Sequence, residues 1–182
     1  MAELLTKKEQ RELLKIARNT IAGFVANGNV PEVVQASAGL LCHNGCFVTI
    51  KQRGQLRGCI GNFISEKPLY LLVQEMAVSA ATHDPRFYPM KVQDLADFGL
   101  EISVLSSLER INSVEDIVVG RHGLFIVKNS CRGVLLPQVA TEYGWDREMF
   151  LRHTCLKAGL QENAWQKDCE IYIFSAQVFG EK

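Results

Sequence analysis

The chain has 182 residues, 47% apolar and 22% charged. That is ordinary for a globular protein and enough for one domain or two small lobes that fold together. Twenty Lys and Arg balance twenty Asp and Glu, which argues against a dominant electrostatic footprint for nucleic acid or an anionic membrane surface. No apolar run approaches the ~20 residues of a membrane span. Charge from Glu3 onward, with Lys7-Lys8 ahead of no long apolar core, argues against a signal peptide, so the cytoplasm is expected.

Thr6-Lys7-Lys8-Glu9 fits a capping box, with Thr6 as N-cap and Glu9 reaching back to it. Leu13, Leu14, Ala17, Ile21, Phe24 and Val25 then form an apolar stripe largely opposite Lys7, Lys8, Arg11, Lys15 and Arg18. This is an amphipathic helix laid on a core. Asn27-Gly28-Asn29 ends it and Pro31 prevents its resumption. Residues 32–41 fit either a short helix or a loop. Residues 46–51 and 55–64 read as a hairpin, with strand formers Phe47 to Ile50 and a turn at Arg53-Gly54-Gln55.

A second helix opens at Ser65 to Pro68 and buries Leu69, Leu72, Val73, Met76, Ala77, Ala80 and Ala81. Its alanines suit close packing over a glycine-bearing strand. It stops near His83-Asp84-Pro85, because Pro85 pushes Asp84 out of the α region. Leu100 to Leu105 alternates as a strand, and Ser113 to Asp116 resembles a helical turn. Residues 123–128 and 132–136 form a second hairpin. Two helices follow, Pro137–Tyr143 and Asp146–Ala158, the latter with Asp146 as N-cap and Gly159 as C′. Cys169 to Phe174 reads as the last strand. Hairpins without regular β-α alternation indicate α+β with antiparallel sheets.

The second strand of the first hairpin is the unusual one. Period two places Leu56, Gly58, Ile60 and Ile64 on one face, and Arg57, Cys59, Gly61 and Phe63 on the other. Each interior glycine weakens a strand by roughly 0.5–1 kcal/mol relative to alanine, so Gly58 and Gly61 imply close approach of a backbone or a ligand. On a regular strand Arg57 and Cys59 share a face about 7 Å apart. An arginine that near favours a thiolate, and Gly61 leaves space beside the sulfur.

Leu56-Arg57-Gly58-Cys59-Ile60-Gly61 resembles the signature hexapeptide of the AMMECR domain family, whose prokaryotic members are often called AmmeMemoRadiSam system protein A. The resemblance runs from about Phe47 to Phe174. It takes in His83-Asp84-Pro85-Arg86-Phe87, Glu101 to Leu105, Gly123-Leu124, Leu135 to Val139, Gly144-Trp145 and Lys157 to Leu160, in that order. It implies one AMMECR-type domain over residues 1–182. Its fold would be antiparallel sheets with flanking helices in two closely packed, interleaved subdomains around the 55–64 strand, with a cleft between them near the hexapeptide. It implies no settled activity. The family's name couples it to Memo-like and radical-SAM proteins, which is association rather than mechanism.

Cys59 leads the candidates for chemistry, as a reactive thiol or a sulfur lining a ligand cleft. The competing reading is a small apolar residue packed between glycines. A thiol nucleophile needs a base within reach, and His83 and His122 are the candidates. Their plainer roles are a loop hydrogen bond and a turn position. Arg57, Arg86 and Arg121 are suited to a carboxylate or phosphate, and Gln138 to a polar ligand, with Gly58 and Gly61 lining the same cleft. The six cysteines, 42, 46, 59, 131, 155 and 169, read as reduced thiols. Cys42-His43-Asn44-Gly45-Cys46, with Cys59 as a candidate further ligand, lacks the second close pair of a structural zinc site. No metal and no other cofactor is expected. Two functions compete: a small-molecule-binding or catalytic cleft around residues 57–61, or a non-catalytic partner of Memo-like and radical-SAM proteins. A monomer or weak homodimer is expected, with neither nucleic acid nor membrane as partner.

Overall fold

The computed structural model describes residues 5–181, so the charge read from Glu3 onward begins outside the described residues. Among these residues are four helices, α1 (Lys7–Asn27), α2 (Leu69–Thr82), α3 (Pro137–Glu142) and α4 (Arg147–Lys157). The strands are β1 (Cys46–Gln52), β2 (Gln55–Asn62), β3 (Gly99–Leu105), β4 (Glu109–Arg110), β5 (Gly123–Lys128), β6 (Cys131–Leu135), β7 (Glu170–Phe174) and β8 (Ala176–Gly180). They form two four-stranded sheets, ordered β2-β1-β3-β8 and β4-β7-β5-β6. The fold is α+β with antiparallel sheets. The chain divides into two units, residues 1–105 with 177–182, and residues 106–176.

In the first unit the capping box at Thr6 forms as expected. The Thr6 N–H donates to Glu9 Oε2 at 2.8 Å, and the Glu9 N–H donates back to Thr6 Oγ1. Gly28 closes α1 at φ 73°, a left-handed position that glycine occupies without strain. Leu13, Ala17 and Ile21 are fully buried, whereas Phe24 and Val25 are only half-buried at the helix end. They pack with the stripe of α2 over Val48, Ile50, Leu100 and Ile102 of the sheet. The ambiguous stretch 32–41 holds a single short helical turn, Ala38–Leu41.

The β1–β2 turn has Arg53 at φ 52° and Gly54 at φ 76°, the two left-handed residues of a tight hairpin turn. Close helix packing explains Gly58. A Cβ there would collide with the Ala80 carbonyl oxygen, so the last turn of α2 rests on the backbone of β2. The same device recurs in the second unit, where a Cβ on Gly133 of β6 would collide with Thr154 O and Ala158 N near the end of α4. There Leu124, Ile126, Phe150, Leu151, Ile171 and Ile173 form the core.

Two strands were not expected. Cys169 to Phe174 is not the last strand: β8 follows it and joins the first sheet next to β3. Its burial alternates weakly, with Phe179 inside and Val178 exposed. Much of what holds this end is tertiary: the Glu181 N–H donates to Leu100 O at 3.0 Å, and Arg18 Nε donates to Glu181 Oε1 at 2.6 Å. The other strand, β4, is two residues long and gains its identity only by pairing with β7.

Candidate functional site

β2 is an edge strand, so its outer N–H and C=O groups need partners from outside the sheet. At Cys59 the loop after α2 supplies them. The Cys59 N–H donates to Asp84 Oδ2 at 2.8 Å, and Arg86 Nη2 lies 3.4 Å from the Cys59 carbonyl oxygen. Asp84 and Arg86 are themselves joined. Arg86 Nε donates to Oδ1 at 3.0 Å, Nη2 to Oδ2 at 2.7 Å, and the Arg86 backbone N–H to Oδ1 at 3.1 Å.

Asp84 is 4% exposed. The Arg86 guanidinium, followed by the Cys59 and Arg86 N–H groups, holds its carboxyl well below the usual carboxylate range, against the opposing effect of burial. Arg86 is held above its ordinary value chiefly by the Asp84 hydrogen bonds.

Cys59 is half-buried, and its sulfur accepts a hydrogen bond from Thr49 Oγ1 at 3.2 Å. Thr49 is its cross-strand partner on β1, and Glu101 of β3 is the next residue in that row. Glu101 in turn pairs with Lys51 at 2.9 Å. The sulfur therefore sits on a polar strip of the sheet face, opposite the face that carries Val48, Ile50 and Ile102 in the core.

Two expectations about this strand are corrected. Gly61 leaves no space beside the sulfur. A Cβ there would collide with the Phe47 ring and the Cys46 carbonyl, because Phe47 is its cross-strand partner and lies over it. Phe63 then meets Phe47 edge-on, with ring centroids 5.1 Å apart. Regular alternation also fails at Arg57. Ile50 pairs with Gly58 and Lys51 with Leu56, so Arg57 is the extra residue of a bulge. Its guanidinium faces Asp94, Nη2 to Oδ2 3.7 Å, with both side chains about four-fifths buried. The arginine engaged with Cys59 is Arg86.

His83 is the exposed C-cap of α2, and its Nδ1 is 2.8 Å from Thr82 Oγ1. His122 and Gln138 belong to the second unit. His122 Nδ1 accepts from the Val118 N–H at 3.2 Å within its own loop. Gln138 is half-buried on the first turn of α3, where its carbonyl accepts from Thr141 Oγ1. Arg121 is exposed in the loop ahead of β5. Cys46 is fully buried, which pushes its thiol up to about 12. No group of three or more His, Cys, Asp or Glu suited to a metal occurs among the described residues. None of the described helices is long and apolar enough to cross a membrane.

The residues that sequence reasoning passed over are Asp84 and Thr49. An aspartate before a proline at a helix end signals a turn whose carboxylate seeks backbone N–H groups, and an edge strand offers them.

Comparison with known proteins agrees with this architecture. The AMMECR1 family model matches residues 14–179. The chain is 42% identical to protein Mbar_A1807 of Methanosarcina barkeri, over 98% of this chain and 93% of that one. It is likewise 42% identical to protein MK0488 of Methanopyrus kandleri, over 100% and 93%. The crystal structure of uncharacterized protein PH0010 from Pyrococcus horikoshii superposes with a TM-score of 0.88 at 35% identity, covering 98% of this chain and 94% of that one. A family match over most of the length, with relatives this similar, places the chain: it belongs to the AMMECR1 family.

Proposed function

We propose that the β2 surface at Cys59 binds a small molecule carrying a carboxylate or phosphate, with the Cys59 sulfur and the Arg86 guanidinium as its contacts. The observation that carries this reading is the double clamp on the Cys59 peptide. Asp84 fixes its N–H and also orients Arg86, whose side chain nevertheless stays 55% exposed. A guanidinium held at Nε and Nη2 presents its remaining Nη1 edge in one orientation, so little entropy is lost when an anion binds. The residue whose peptide is clamped carries a half-buried thiol, itself hydrogen-bonded by the Thr49 hydroxyl.

Binding is favoured over base-assisted nucleophilic catalysis. The sulfur's hydrogen bond comes from a hydroxyl, and the His83 ring is engaged with Thr82. All six cysteines are free thiols, which suits the reducing cytoplasm, the compartment we assign.

The test is native mass spectrometry of the protein with a cell metabolite extract. The wild type should retain an anionic small molecule that Cys59→Ala loses with its melting point unchanged. Arg86→Ala should lose it too, read below its own lowered melting point, because the buried Asp84 carboxylate is left without its cation. Equal retention by all three proteins, or none by any, overturns the reading. The second outcome would leave in front the association with Memo-like and radical-SAM proteins implied by the family resemblance.

A further inference from the structure

The second unit holds a cavity of about 470 Å³ that no part of the Cys59 reading uses. It is lined by Lys128 and Lys167, by the carboxamide residues Gln161, Asn163 and Gln166, and by Leu160. The geometry points to this cavity as a binding site for a small organic anion, an apolar body bearing a carboxylate or phosphate.

Charge is the first argument. The lining has two cations and no acid, although the chain as a whole is neutral; Glu162 and Asp168 adjoin these residues in sequence but do not line the cavity. The Lys128 ammonium is not a free-swinging surface charge. It donates to the Lys167 carbonyl at 2.9 Å, which anchors it at the cavity and leaves two of its three N–H bonds for a ligand.

The thiols beside the wall add no negative charge. Ala164, in the wall, accepts a hydrogen bond from Cys169 Sγ at 2.9 Å. Burial pushes both the Cys169 and Cys155 thiols up, so both stay neutral at physiological pH. The carbonyl end of α4 is capped, with Ala158 N donating to Thr154 O, Gly159 N to Leu156 O and Leu160 N to Cys155 O.

The apolar part of the ligand is set by Leu160, Ala164 and the lysine stems, and its polar rim by the three carboxamides. The short turn Ala164–Gln166 in this wall carries Trp165. Its Nε1 is buried with no acceptor among the described residues. Trp165 therefore gives the wall a sensitive reporter, an indole N–H whose resonance shifts when the turn adjusts to a ligand.

The experiment is a titration of the full chain with phenyl phosphate, and separately with inorganic phosphate, followed by ¹H–¹⁵N NMR. The expected result is saturable shifts at the Trp165 indole and at the amides of residues 160–167, with phenyl phosphate binding more tightly than phosphate. Lys128→Met and Lys167→Met should each weaken phenyl phosphate by about two- to fivefold, the scale of a partly exposed ion pair. Lys128→Met also removes the bond to the Lys167 carbonyl. Lys167→Met leaves that carbonyl in place and keeps the test decisive if the first variant is destabilised. No saturable shift, equal affinity for the two anions, or unchanged affinity in Lys167→Met overturns the assignment.

Discussion

Replacing Asp84 by alanine tests the clamp on Cys59. The substitution leaves the Cys59 N–H on an edge strand without its acceptor, which costs about 1–3 kcal/mol. It also removes three bonds from Arg86, two from its guanidinium and one from its backbone N–H. That side chain is 55% exposed and regains water, so this second loss adds no more than about 1 kcal/mol. The total, about 1–4 kcal/mol, corresponds to a melting point lower by roughly 2–16 °C for a chain of this size. Asp84→Asn keeps an acceptor for the Cys59 N–H and should lose about half as much.

The pH dependence has a definite sign. A carboxyl held below its unfolded value contributes stability that is complete above about pH 4 and is lost as pH falls towards its folded value. The gap between wild type and Asp84→Asn should be constant from pH 5 to 8 and narrow below pH 4. Thermal melts followed by circular dichroism read both effects. A melting point for Asp84→Ala within 1 °C or so of wild type at pH 7, or a gap that widens in acid, would refute the reasoning.

Gly58→Ala should destabilise by about 1–3 kcal/mol, measured by urea unfolding, because the methyl meets the Ala80 carbonyl rather than a side chain that can turn aside. A neutral result would mean that α2 does not rest on β2 there. Alkylation of the native protein, read by site-resolved mass spectrometry, should modify Cys59 before the fully buried Cys46 and Cys155. Labelling of either buried thiol first would contradict the placement of the three.

The hairpin, the capping box and the helix stripes were legible because each rests on local chemistry: a glycine turn, a Thr-x-x-Glu spacing, an apolar period. The seat of α2 on Gly58 was legible too, since glycines in a strand and alanines on the next helix point to one contact. The bulge at Arg57 was not. Counting back from the tight turn pairs Thr49 with Gly58, and the extra residue shifts the partner to Cys59. That single slip hid the Thr49–Cys59 contact and misassigned the nearby arginine. Gly61 misled for a related reason: a missing side chain reads as open space, when the cross-strand Phe47 fills it. β8 was hidden because its few apolar residues gain their role only beside β3, which lies some seventy residues earlier in the chain.

The most direct test of the Cys59 site is ligand shielding. Wild-type protein would be treated with iodoacetamide with and without a metabolite extract, and the labelling rates of Cys59 and of the half-buried Cys131 in the other unit compared site by site. The account predicts that the extract slows Cys59 labelling, leaves Cys131 unchanged, and loses its effect in Arg86→Ala. Equal labelling of Cys59 with and without extract, or the same slowing at both thiols, would contradict it.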